Sequence, residues 1–258
     1  MRFSGAATLI VLSLSIVACQ SSAPPAPATP AAPGVDPATA GAITAVVKFE
    51  GTAPTPEKIR LDGDAKCVTA NGAADRPSES IVLGDQLGQL SALQNVFVYI
   101  KDGLGNKYIF DTPTEPVKLD QKGCHYLPHV VGLRTTQPLE VINSDNTMHN
   151  VHGMPETNRE FNQGQPVIGM KNTVTFTAPE VLIRFKCDVH AWMYAYVGVV
   201  SHPYFAVSGD GGAFELRTIP PGTYTIEAVH EKLGRQTQTV TLGDKDAKES
   251  TFTFKPAA

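Results

Sequence analysis

Runs of alternating or β-branched apolar residues recur along the chain at the length of a strand. They occupy residues 43–49, 95–101, 139–143, 173–176, 181–187 and 194–202, each bounded by clusters of Gly, Pro, Asn or Asp. This pattern predicts an all-β protein built as an antiparallel sandwich. Residues 85–93 read equally as a short helix or a loop. After His202 the character changes: short runs at 205–207, 213–219 and 223–229 are separated by Gly211-Gly212 and Pro220-Pro221-Gly222, and two more follow at 236–242 and 250–254. A boundary is placed near His202. The roughly 55 residues beyond it are few for an independent domain, so the tail leans on the first sandwich or shares strands with it.

Composition agrees with the pattern. The 258 residues include 22 Gly and 20 Pro, rich in turns, and are 42% hydrophobic and 18% charged, which permits a core and excludes disorder throughout. That length allows one large domain or two modest ones. With 21 basic against 25 acidic residues the formal charge is −4, so there is no basic field to neutralise phosphates and nucleic acid is not an expected partner.

The N-terminus is an address. Arg2 precedes an apolar run at 6–17, the form of a secretory signal and too short to span a membrane. It ends Leu14-Ser15-Ile16-Val17-Ala18-Cys19, which resembles the lipobox of bacterial lipoproteins. That resemblance implies diacylation of Cys19, a membrane anchor, and, with Gln20 next, the outer membrane of a Gram-negative envelope. The alternative is an ordinary cleaved signal with an incidental cysteine. From Gln20 to residue 41 the chain is Ala, Pro, Ser and Thr with one charge, Asp36. Such a spacer is extended, reaching ~60 Å at ~3.1 Å per residue. The expected organisation is a signal (1–19), a spacer (20–41), a sandwich (42–202) and a tail (203–258), placed on the periplasmic side in an oxidising compartment.

The chemistry concentrates in Phe185-Lys186-Cys187-Asp188-Val189-His190-Ala191-Trp192-Met193. A thiol, an imidazole and a thioether follow one another at intervals of three on a loop between predicted strands. Soft sulfur with nitrogen selects copper, and two His, one Cys and a weak axial Met are the ligands of blue-copper sites. The missing His should come from a distant segment, and Asn143-Ser144-Asp145-Asn146-Thr147-Met148-His149-Asn150-Val151-His152 supplies a candidate.

Cys-x-x-His-x-x-Met with an upstream His-Asn-Val-His resembles the cupredoxins, and its short His-x-x-Met spacing resembles the amicyanins among them. The resemblance covers about residues 95–200. It implies a Greek-key β-sandwich, one type 1 copper on His149, Cys187, His190 and Met193, and Asn150 tying the two ligand segments together. It also implies a carrier of single electrons between redox proteins rather than an enzyme, with Cys187 as the covalent coupling, Met193 tuning the potential and His190, if edge-exposed, as the electron port. Met148 stands where cupredoxins commonly have Pro, and a long insertion precedes the His segment; both bear on the partner more than on the copper. Gly212-x-Phe214-x-Leu216-x-x-Ile219-Pro220-Pro221-Gly222-x-Tyr224-x-Ile226 resembles carboxypeptidase regulatory-like domains, which are small transthyretin-like sandwiches.

Other readings of the same residues stay open. Cys187 binds metal or pairs with Cys67 or Cys124. With Cys19 lipidated and Cys187 metallated, Cys67 and Cys124 are the natural disulfide; alternatively Cys124 joins His125 and His129 in a second metal site. His152 competes with His149 as ligand, but three positions apart on a strand they face opposite ways. His202 and His230 have no ligand partners nearby and read as structural or solvated. Trp192 either packs beside the site or joins Met154 in an apolar rim where a partner docks. Two rival functions accompany these readings: a copper carrier or chaperone, and a non-redox binding or adhesion module in which Cys187 is disulfide-bonded.

Overall fold

Alternation along the chain becomes strand nearly everywhere in the computed structural model, which describes residues 34–256. The signal, Cys19 and the spacer up to residue 33 lie outside the described residues. Among those described, one short helix, Ala65–Asn71, interrupts an all-β architecture, and no helix is long and apolar enough to cross a membrane.

The metal-candidate residues belong to a sandwich of two sheets. One sheet orders Lys171–Val174, Leu139–Asn143, Val117–Gln121 and Tyr126–Leu127; the other orders Phe161–Gln165, His149–Met154, Glu180–Lys186, Tyr194–Val200 and Val130–Arg134. Most neighbours are antiparallel, but Leu139–Asn143 lies parallel to Val117–Gln121 and Tyr194–Val200 parallel to Val130–Arg134. Inward positions of both sheets, among them Leu119, Val141, Val151, Ile183, Phe185 and Val197, form one buried cluster that continues into Cys187 and Met193. The candidate residues therefore cap a packed core at one end, which holds them rigidly.

A second sandwich is assembled from both ends of the chain. Strand Gly41–Phe49 pairs antiparallel with Ala213–Ile219 and parallel with Ala247–Phe254, and its end meets Leu90–Leu93. Its facing sheet orders Phe205–Val207, Phe97–Asp102, Gly222–His230 and Gly234–Leu242. The strands after His202 thus take partners from 41–49 and 97–102 and close no sandwich of their own. A tail that short buries too little surface alone, and the N-terminal strands complete its core. Residues 85–93, undecided by pattern, belong to the hairpin Leu83–Leu87 and Leu90–Leu93.

The two sandwiches meet where glycines leave room. Gly198 pairs with Gly132 across parallel strands. A Cβ on Gly198 would lie 2.5 Å from the Phe97 ring, and one on Gly132 would lie 2.5 Å from Phe205. Phe97 packs there with Val130 and Val200 in a small cluster that joins the bodies.

Between the first strand and this hairpin, the chain makes an excursion: Lys58–Arg60 and Asp75–Pro77 pair as a two-stranded ribbon around the helix. Seven residues are too few to be helical alone. Asp64 caps the N-terminus by accepting from Lys66 N at 2.7 Å, and Gly72 ends the helix in the left-handed region at φ 64°. Its buried Cys67 is disulfide-bonded to Cys124, with Cα atoms 5.5 Å apart. This excursion is a cap over the end of the first sandwich.

Candidate metal centre

Strand Glu180–Lys186 ends where Lys186 pairs with Tyr194, so residues 187–193 must reverse the chain in one tight loop. Two backbone hydrogen bonds hold it: Cys187 N donates to Met193 O at 3.1 Å and Met193 N to His190 O at 2.9 Å. On the neighbouring strand His152 pairs with Lys186, which sets His149 beside Cys187. Cys187, His149, His190 and Met193 are all fully or almost fully buried, at 1%, 0%, 3% and 0% exposure.

The donor atoms converge. Cys187 Sγ lies 4.0 Å from His149 Nδ1 and 3.8 Å from His190 Nδ1, and the two Nδ1 atoms are 3.0 Å apart. At bond lengths usual for first-row ions, a trigonal site separates sulfur from nitrogen by about 3.8 Å and the nitrogens by about 3–3.5 Å. This triangle fits one ion.

Each imidazole is also bonded on its far side. His149 Nε2 meets Asp145 Oδ2 at 2.9 Å, and His190 Nε2 meets Asp64 Oδ2 at 3.1 Å. Both carboxylates are fixed in turn. Asp145 accepts from Gly123 N and Cys124 N at 2.7 and 2.8 Å, and Asp64 accepts from Lys66 N and Thr147 Oγ1 at 2.7 and 2.9 Å. With Nε2–H donated to a carboxylate, each Nδ1 turns a lone pair towards the triangle. Two lone pairs 3.0 Å apart repel unless a proton or a cation lies between them, so the arrangement calls for a positive charge at that point.

The electrostatics point the same way. Burial alone would raise the Cys187 thiol, but the adjoining His149 and His190 rings and the Asn150 N–H outweigh it and bring the pKa down to about 6. Burial would likewise lower His149, yet Asp145 and the Cys187 sulfur lift it to about 9. Asp64 is held down at about 2 by the Lys66 N–H, Thr147 and His190, against the desolvation that opposes ionisation. Asn150 joins the ligand segments: its N–H points at Cys187 Sγ at 3.5 Å and its side-chain oxygen accepts from Asp188 N.

Parts of the chain are similar to solved cupredoxins. Amicyanin from Paracoccus versutus matches over 34% of this chain and 85% of its own, at 19% identity and a TM-score of 0.30. A purple cupredoxin from Nitrosopumilus maritimus matches over 32% of this chain and 98% of its own, at 17% identity and a TM-score of 0.28. A copper-containing nitrite reductase from Thermus scotoductus matches over 37% of this chain at 20% identity and a TM-score of 0.31, and the chain spans only 24% of that enzyme. No protein-family model and no curated protein sequence matches significantly.

Several residues stand elsewhere than the sequence suggested. His190 is not at an edge: Asp64, the Cys67–Cys124 disulfide and the Trp192 ring, 5.1 Å away centroid to centroid, cover it. The insertion that carries the cap is the reason. Trp192 faces this cap, donating from Nε1 to Cys124 O at 3.2 Å and packing under Gly63. Met154 lies five residues along its strand from His149, about 16 Å at ~3.3 Å per residue, beside Val229 and His230 of the second sandwich. Trp192 and Met154 therefore share no rim.

His152 points away from the triangle, to Asp188 at 3.0 Å and Glu160 at 2.7 Å. His125 meets Gly123 O, and His129 meets Glu231 at 2.5 Å; with Cys124 in a disulfide, neither builds a site with it. His202 Nε2 donates to Ile100 O at 2.8 Å, while His230 Nδ1 accepts from Lys232 N and Leu233 N at 3.1 and 3.3 Å. Sequence reasoning missed Asp64 and Asp145 as supports. Asp145 stood in plain view, four residues before His149; Asp64 carried no signal.

Proposed function

We propose that this protein is a type 1 copper protein that carries single electrons between redox partners and transforms no substrate. The observation that carries the reading is the buried triangle of Cys187 Sγ, His149 Nδ1 and His190 Nδ1, whose separations of 3.0 to 4.0 Å suit one three-coordinate ion. Bound there, a copper ion supplies a one-electron couple between its two common oxidation states. The protein's own part is to keep the donors in one arrangement for both. Asp145 and Asp64 fix the imidazole tautomers, Asn150 ties the loops, and Met193, buried at the end of the same loop, would supply the weak fourth donor. The cap and core exclude water.

In this reading the chain carries a lipid anchor at Cys19, with the Ala/Pro-rich spacer between anchor and folded part, on the periplasmic face of a bacterial envelope and at the outer membrane. The adhesion alternative required Cys187 in a disulfide; among the described residues Cys187 is the free cysteine, and Cys67 is joined to Cys124.

Titration of the oxidised chain with Cu(II), followed by visible absorption and metal analysis, tests the reading. One copper per chain with an intense blue thiolate-to-copper band, lost in Cys187→Ser, is the expected result. A colourless complex, or a band that survives Cys187→Ser, overturns it.

A further inference from the structure

The disulfide of the cap lies against the metal candidate. Cys67 Sγ is 3.6 Å from His190 Nε2, on the side of the ring opposite to Cys187. The donor atoms of Cys67, Cys124 and His190 all fall within 4.8 Å of one another, and all three residues are buried. Around an ion with bonds of ~2.3 Å to sulfur and ~2.0 Å to nitrogen, sulfur and nitrogen stand about 3.5–3.8 Å apart. The Cys67–His190 separation already has that value. While the S–S bond is intact neither sulfur is a thiolate, and the position is closed to metal.

We propose that reduction of Cys67–Cys124 opens a second soft-metal site, in which both thiolates and His190 Nε2 bind one Cu(I) ion. A dithiol reductant supplies the two electrons and two protons: its own sulfurs join in a disulfide, and Cys67 and Cys124 become thiols. Entry of Cu(I) then displaces the two thiol protons to solvent; the His190 Nε2 proton shifts to Nδ1 when the first site is empty and leaves to solvent when Nδ1 is already on copper. Two thiolates and one nitrogen are a donor set that favours Cu(I), the softest common ion of the first row. The His190 ring is shared, with Nδ1 towards Cys187 and Nε2 towards the cysteine pair, so the two sites lie at the two nitrogens of one imidazole. The second site stands on the cysteine pair and does not depend on the first holding copper.

The test uses the full chain under anaerobic conditions, either oxidised or treated with dithiothreitol and freed of it. Thiol counting in denaturant verifies a gain of two thiols, and circular dichroism verifies the fold. Each form is then titrated with Cu(I) against a chromophoric chelator. The reduced form should bind one more Cu(I) than the oxidised form. That extra ion should vanish in Cys67→Ser/Cys124→Ser and, in a reduced Cys187→Ser chain, on alkylation of the two new thiols. Equal stoichiometry in the two forms, or a reduced chain that unfolds, overturns the proposal. An oxidised form that binds none while the reduced form binds one would leave this site standing and remove the type 1 centre.

Discussion

Asp64 and Asp145 do for the imidazoles what the ligand loop cannot: they hold each Nε2–H, so that both Nδ1 atoms face Cys187. Asp64→Asn and Asp145→Asn keep an acceptor of nearly the same shape and remove one negative charge close to the site. Cu(II) affinity should fall ~10–100-fold, as losses of such outer partners typically do. The reduction potential should rise, because less negative charge surrounds the oxidised ion. Competition titration and voltammetry measure both, and unchanged potentials in both variants would count against a positioning role. At this scale the sequence was legible where chemistry is local. Cys187, His190 and Met193 share one loop, and His149 announces itself in His-Asn-Val-His. Asp64 was hidden because it meets His190 across 126 positions of chain, and nothing in its neighbours marks it as a carboxylate in need of a partner.

The cap is the element that most changes the expected picture. It buries the imidazole that would serve as electron port only if edge-exposed, and it does so with a seven-residue helix too short to show any periodicity. Its disulfide closes a separation of 57 residues, worth about 4 kcal/mol in the chain-entropy model. Cys67→Ser/Cys124→Ser should stay folded, because Asp64 and the two-stranded ribbon still hold the cap. Chemical denaturation should show a loss of 2–5 kcal/mol, the usual range for native disulfides. Trp192, the only tryptophan, reports directly: with the cap loosened its emission should shift to the red. An unshifted spectrum would mean that the disulfide does not hold the cap over Trp192.

On the scale of the whole molecule, the strands of 41–49 and 97–102 pair with those of 205–254, so the second sandwich forms only when both chain ends meet. Local alternation showed these strands one by one but could not show their partners, because pairing is decided by burial between distant segments. Gly132 and Gly198 passed unnoticed for the same reason: their lack of a side chain has meaning only under Phe97 and Phe205.

His230 lends this sandwich a pH dependence. Buried, with Nδ1 accepting two backbone N–H bonds, it has its pKa pushed down to about 4 by burial and then by the neighbouring His129. Its folded pKa lies below the unfolded ~6.5, so its full contribution is present above pH 6.5 and is lost as pH falls towards 4. That loss approaches about 3 kcal/mol. His230→Gln should flatten the decline of stability between pH 6.5 and 5, measured by urea denaturation at each pH. A wild-type slope preserved in the variant would assign the decline to other groups.

Copper K-edge X-ray absorption on the oxidised, copper-loaded chain tests the centre most directly. Two imidazole nitrogens and one short sulfur around a single copper, with the sulfur missing in Cys187→Ser, is the expected first shell. A shell of nitrogen and oxygen alone, or a sulfur that persists in Cys187→Ser, would contradict the assignment of His149, Cys187 and His190 as the ligands.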